Sequence, residues 1–167
     1  VDPTPDAATP DAPAAMAWSM ENCQVERAMG VLGERSSVVV LREVFVGVRR
    51  FDDIHRHSGV SRQVLSNRLA MLVDEGLLTK VAYQAAGSRP RHEYRLTPKG
   101  LDLYPVLTAL AQWGARWYSD PDGPAVQMVH RDCEAPVEAS LQCAAGHRDL
   151  PVREVVPRPG PGALPLS

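Results

Sequence analysis

Residues 61–76 read SRQVLSNRLAMLVDEG, and the reading of this stretch decides the fold. Leu65, Leu69 and Leu72 recur at helical spacing and mark one buried stripe. Ser61 can cap the first free backbone N–H groups and Gly76 can end the run, so the pattern predicts a helix over residues 61–75. That stripe leaves Gln63, Ser66, Asn67 and Ala70 on the opposite, open face. Such a face suits the DNA major groove, where Arg pairs bidentately with guanine, Gln and Asn with adenine, and Ser with either. Ser61, Arg62, Gln63, Ser66 and Asn67 are therefore candidate DNA contacts, and Arg68, nearer the buried stripe, suits a phosphate. A merely solvated helix face carries the same residue types, so the flanking elements have to decide.

Upstream, RRFDDIHRHSG at residues 49–59 predicts a short helix with Phe51 and Ile54 inward and Gly59 closing it. Before it lies a helix over residues 36–46, ending at Gly47, although its VVVL run is β-branched and strand-like. A first helix is written in CQVERAMGVLG, with Val25, Ala28, Met29 and Leu32 in phase and Gly33 at its end. Downstream the period changes. LLTKVAY alternates, QAAGSRPR breaks the pattern and HEYRL alternates again, which is a hairpin with Arg89 and Arg91 flanking its tip. Thr97 then caps a last helix with Pro98 at its first position and Leu103, Leu107, Leu110, Trp113 and Trp117 on its apolar side. Short helices, a two-stranded hairpin and a long final helix in this order describe an α+β, mostly α, winged helix-turn-helix. Its hairpin is the wing, placing Arg89 and Arg91 against phosphates or the adjacent minor groove.

The chain has 167 residues, 44% apolar and 23% charged, as expected of a soluble globular core. No apolar run reaches the roughly 18 residues of a membrane span. The acidic, proline-bearing opening does not read as a secretory leader, and three cysteines do not form a disulfide framework, so a cytoplasmic address is expected. The net charge of −2 hides a basic middle: residues 21–118 hold 14 Lys and Arg against 10 Asp and Glu. Residues 1–19 and 157–167, rich in proline, are expected to be disordered tails around a DNA-binding domain at 20–118 and a small β-rich extension at 125–156. SDPDGP at residues 119–124 is the turn between them. No nucleophile elbow or phosphate loop is written in the chain, and His55 and His57 with Asp52 and Asp53 read as the exposed face of the short helix rather than as a catalytic cluster. The chain is thus not expected to be an enzyme.

From Cys23 to Trp117 the sequence resembles the HxlR-type transcriptional regulators, bacterial winged-helix homodimers. The resemblance rests on C-x-V-E-R-A, on L-R-E followed by G-x-R-R-F, and on S-x-x-V-L-S-x-R-L. It continues through L-x-x-E-G-L-L, R-x-E-Y-R-L-T-P-K-G and W-G. It implies that residues 61–68 enter the major groove, that Arg89 and Arg91 lie on the wing, and that Arg49 and Arg50 lie near the DNA backbone. It also implies a dimer through the first and last helices, for which Leu110, Trp113 and Trp117 are the candidate contacts; two tryptophans on a helix are equally compatible with ordinary core. One departure is Arg35-Ser36, where the family commonly has a basic residue and then Trp.

Cys23, at the start of the first helix, occupies the place of the cysteine used by redox-sensing members, and a helix N-terminus favours a thiolate. A small packed residue is the competing reading. His130-x-x-Cys133 and Cys143-x-x-x-His147 form a candidate structural zinc set, with a buried cysteine pair and surface histidines as the alternative. No cofactor is certain from the sequence. Double-stranded DNA, a second copy of the chain and a small-molecule effector are the expected partners, with no membrane. The function read from the sequence is a sequence-specific DNA-binding regulator, a homodimeric repressor on a pseudo-palindromic operator. The alternative is a winged-helix protein-interaction module without specific DNA binding.

Overall fold

The computed structural model describes residues 19, 21–83 and 91–165. They fall into two compact units: residues 28–138, and the residues up to 27 together with those from 139 onward. In chain order the elements are α1 (Gln24–Leu32), α2 (Arg35–Phe45), α3 (Phe51–Ser58), α4 (Arg62–Asp74), β1 (Leu78–Tyr83), β2 (Arg91–Leu96), α5 (Pro98–Leu101) and α6 (Tyr104–Tyr118).

The larger unit is built on one apolar cluster. Val40, Leu41 and Val44 of α2, Ile54 of α3, and Leu65, Leu69 and Leu72 of α4 meet Leu77 and Leu78 at the start of the wing. The β-branched run of α2 forms a helix because Ser37, Val40, Leu41 and Val44 are buried together, a period near four rather than two. Each fully buried Leu contributes about 1.5–3 kcal/mol to this packing.

Gly59 ends α3 in the left-handed conformation, at φ +68°, which an L side chain adopts only with strain. Three residues later α4 begins. Ser61 accepts a hydrogen bond from Val64 N at 3.4 Å, and Val60 is held between Ser58 Oγ (3.2 Å to its N–H) and His55 Nδ1 (2.7 Å to its carbonyl). The turn is thus tied down at both ends, and α3 and α4 form the helix-turn-helix.

β1 and β2 pair antiparallel, from Leu78 opposite Leu96 to Tyr83 opposite Arg91. The hairpin tip at residues 84–90, with Arg89, lies outside the described residues. The segment before α3 joins this sheet: Tyr94 N donates to Arg49 O at 2.8 Å, and Arg50 bridges Glu93. That contact couples the wing to the N-terminus of α3.

Two expectations are corrected here. The single helix expected from Pro98 onward is broken into α5 and α6, because Pro105 has no N–H to donate to Leu101 and its ring clashes with that carbonyl. The β-rich extension is also not found: within residues 125–156 the only described pairing is an isolated bridge between Val129 and Pro136, followed by a 3-10 turn at Val152–Glu154. Prolines at 136 and 151 remove donors that a ladder would need.

The extension divides between the units. Residues up to 138 pack on α6, where Gln112 Nε2 donates to Val137 O at 2.8 Å and Tyr104 Oη to Met128 Sδ at 3.4 Å. In the smaller unit Ser19 N donates to Leu164 O at 2.7 Å and Asn22 Nδ2 to Gly162 O at 3.1 Å.

Candidate DNA interface

The open face of α4 is as the periodicity requires. Arg62, Gln63, Ser66, Asn67 and Ala70 are exposed while Leu65, Leu69 and Leu72 are fully buried. Gln63 Nε2 donates to Asn67 Oδ1 at 3.0 Å, so two amides one turn apart form a single prealigned ridge. The bond leaves on Asn67 its amide donors and on Gln63 its carbonyl, together with the second N–H of Gln63, for a base edge.

Arg62 is not free in space. Its Nη2 donates to Asp52 Oδ1 on α3 at 2.9 Å, and its guanidinium carbon lies 5.0 Å above the centre of the Phe51 ring. Arg68, expected at a phosphate, is engaged within the protein. Its side chain is only 23% exposed, and it turns back to Glu34 ahead of α2, with Nη2 to Oε2 at 2.5 Å and Nε buried without a partner. The reason is positional: residue 68 adjoins Leu69 on the flank of the buried stripe, beside the start of α2.

Around α4 the cations are spread over the wing and the segment before α3. Arg49, Arg50, Lys80, Arg91 and His92 are all exposed. Arg50 lies over the Tyr83 ring at 4.6 Å. A cleft of about 410 Å³ separates the N-terminus of α3 from the hairpin and is lined by Arg50, Lys80, Arg91 and His92 and also by Asp52 and Asp53. Burial raises the Tyr94 phenol above its usual value, which keeps it a neutral donor. At the other side of the helix-turn-helix, Ser36 lines a cleft of about 360 Å³ between the start of α2 and the turn at residues 58–60.

The histidines and aspartates of α3 are each engaged. His55 meets Val60 O, Asp53 holds Arg56 at 2.6 Å, and His57 Nδ1 lies 2.7 Å from Glu43 Oε2. Glu43 is the residue that sequence reasoning missed. Its side chain is 1% exposed, with Arg42 on its other oxygen, and it fastens the C-terminal part of α3 to α2. A charged residue three positions after Val40, at the edge of the apolar stripe, was the available signal, since a carboxylate buried there needs a partner.

The remaining sequence candidates are placed as follows. Cys23 is half-buried and its carbonyl accepts from Arg27 N at 3.1 Å, the N-cap position of α1. His130 Nδ1 lies 3.3 Å from Cys133 Sγ, and Cys143 Sγ lies 3.2 Å from His147 Nδ1. Among the described residues, however, no three His, Cys, Asp or Glu side chains are grouped to hold a metal ion. Leu110, Trp113 and Trp117 lie outside the core, each about half exposed, with Val106 in the same row. A small apolar cleft of about 220 Å³ lies between α6 and residues 124–138, bordered by Ala111, Ala115, Val126 and Val137.

This geometry agrees with what the chain is similar to. Residues 31–122 match the family described as HxlR-like helix-turn-helix. The chain belongs to the HxlR family. An HTH-type transcriptional regulator of Mycobacterium tuberculosis is 41% identical over 142 residues, 85% of this chain and 89% of the relative. A second such regulator, from Synechocystis, is 33% identical over 96 residues, 57% of this chain and 70% of its own. Among solved structures, that of PA1607, described as a transcription factor, superposes with a TM-score of 0.70 at 33% identity and covers 83% of this chain and 96% of its own. PA1374 from Pseudomonas aeruginosa superposes at 0.57 with 32% identity, covering 84% and 94%. This HxlR-type protein is therefore a DNA-binding transcriptional regulator with a winged helix-turn-helix fold. Among its described residues no helix is long and apolar enough to cross a membrane.

The hydrogen bond between Gln63 and Asn67 carries a prediction. Gln63→Ala and Asn67→Ala should each lower discrimination for a preferred duplex over a scrambled one by about 2 kcal/mol, the worth of one bidentate base contact. Because the two amides orient each other, the double variant should lose less than both losses together. Anisotropy titrations on both duplexes measure this; equal losses on the two would show that the pair does not read bases.

Proposed function

We propose that this regulator is a homodimeric repressor that reads a pseudo-palindromic operator through the open face of α4, with the wing on flanking DNA. The observation that carries the reading is the exposed ridge of Gln63, Ser66 and Asn67 set beside Arg62, together with the exposed cations Arg91 on the wing and Arg49 on the segment that joins it. A neutral amide ridge is suited to base edges and the flanking cations to phosphates, which is the division of labour that a specific DNA site requires. Two copies related by a two-fold axis would place their α4 helices in successive major-groove turns, roughly 34–36 Å apart. The exposed apolar row of α6 supports the second copy as occupant. Occupation of promoter DNA by such a dimer excludes polymerase, which is repression in its simplest form.

Fluorescence anisotropy on DNA from immediately upstream of the chain's own gene, with random competitor and varied salt, tests the reading. Tight, competitor-resistant binding that weakens steeply with salt is expected. No binding even at low salt would sink it and favour a protein-interaction module.

Redox response through Cys23 is part of the same proposal. The thiol sits half-buried at the N-cap of an α-helix, in a cleft of about 320 Å³ that Arg158 also lines. Cys23→Ser should bind DNA as the wild type does and lose any change of affinity on peroxide treatment. A variant that still responds like the wild type removes Cys23 from the switch.

A further inference from the structure

On the open face of α4, Arg62 has an acidic companion. Among the described residues no acidic side chain pairs with Arg49 or Arg91, whereas Arg62 Nη2 meets Asp52 Oδ1 at 2.9 Å. Both side chains of that pair are about two-thirds exposed, so the contact adds little to stability. Its consequence is for placement and charge. Phe51 supplies a flat surface beneath the guanidinium and Asp52 takes one of its donors, which restricts a side chain that would otherwise sample many rotamers. Arg62 is the first residue of α4, the end of the helix that enters a groove. Its remaining donors stay available, and a planar fork with one edge occupied can still present the other.

The carboxylate also changes what those donors prefer. A lone arginine at a DNA surface is drawn to phosphate by its charge. With Asp52 at hydrogen-bond distance that charge is largely compensated, and a phosphate approaching Arg62 is repelled by Asp52. A guanine edge is neutral, accepts through two atoms and suffers no such repulsion. Asp53 does not take this part, because it is held by Arg56. We propose that Asp52 is a specificity-determining positioning residue, which with Phe51 aims Arg62 at a base edge and keeps it off the phosphates. The inference rests on the reading of α4 as the DNA-recognition helix.

The test uses the full chain and a duplex enriched by the wild type from a random-sequence pool, compared with a scrambled duplex of equal composition. Asp52→Asn should lower the ratio of the two affinities by about tenfold while tightening binding to the scrambled duplex. Its log–log salt slope should steepen by about one, as a released arginine gains a phosphate. Asp52→Glu should restore most of the ratio, and Asp52→Asn should leave the ratio unchanged in an Arg62→Ala background. Equal tightening on both duplexes by Asp52→Asn would overturn the proposal, since loss of a repelling charge alone does that. So would an undiminished effect without Arg62. If the wild type enriches a sequence whose ratio is indifferent to Arg62→Ala, the inference fails while the recognition helix stands. If the wild type enriches no sequence, the recognition helix itself fails and the inference with it.

Discussion

Trp113→Asp is expected to convert the proposed homodimer into monomers and to weaken binding to a two-half-site operator by about 100-fold or more, the loss that follows when two linked sites become separate. The argument starts from the two sides of α6. Leu107 and the neighbouring Leu103 pack against the core and Thr108 is buried, donating to Tyr104 O at 2.9 Å, so this helix is already seated by its inner side. Val106, Leu110, Trp113 and Trp117 form a second row, spaced by four, three and four residues, on which no core residue sits. Such spacing is the seam of a helix packing on another helix. Trp113 leans on Tyr118, with ring centroids 5.1 Å apart, and Arg116 lies 5.1 Å from the centre of the Trp117 ring. Large aromatics of this kind anchor interfaces, and an aspartate in their midst would have to be buried without a partner. Sedimentation velocity at micromolar protein, paired with titration of full and half operators, measures both effects. Half-site affinity should stay unchanged. A Trp113→Asp protein that still sediments as a dimer would move the interface elsewhere.

Gly100→Ala is expected to lower the unfolding free energy by about 3 kcal/mol, at the upper end of overpacking substitutions. The segment L-T-P-K-G is a clasp. Thr97 Oγ1 accepts from Gly100 N at 3.1 Å and donates to Gly76 O at 2.6 Å, and Lys99 Nζ donates to Glu75 O at 2.6 Å. These bonds draw the start of α5 onto the end of α4, so closely that a Cβ on Gly100 would come within 2.2 Å of Leu77 O. The obstacle is backbone rather than a flexible side chain, and Leu77 O already accepts from Thr97 N at 3.1 Å. Relief therefore requires α5 to move away from the wing. Gly30→Ala in α1 is the control: nothing lies within 4 Å of its Cβ position, so it should be neutral or slightly stabilising. Urea unfolding of the two variants gives the comparison. Similar midpoints would mean that the clasp tolerates a methyl group.

Much of this was legible in the chain. The three leucines of α4, the cap at Ser61, the αL glycine at 59 and the Thr97-Pro98 start are local signals, because helix period and capping depend on residues within a turn or two of each other. They were enough to order the elements and to expose the face with Gln63, Ser66 and Asn67. The break before α6 was also written there, in Pro105, and was overlooked because the apolar spacing continues across it.

Which charges meet was decided only by the tertiary structure. Arg68 has the same side chain as Arg62, yet one is folded back on Glu34 and the other is poised on Asp52 beside an open groove. Glu43 resembles any surface glutamate until α3 is laid across α2 and His57 closes over it. The sequence by itself determined the helices, their order and the face that α4 leaves open, since these follow from periodicity. These two ion pairs, Asp52 with Arg62 and Glu34 with Arg68, join residues 10 and 34 positions apart, and the charges offer too many equivalent partners for spacing to choose among them. Only packing, by fixing which side chains can reach each other, makes the choice.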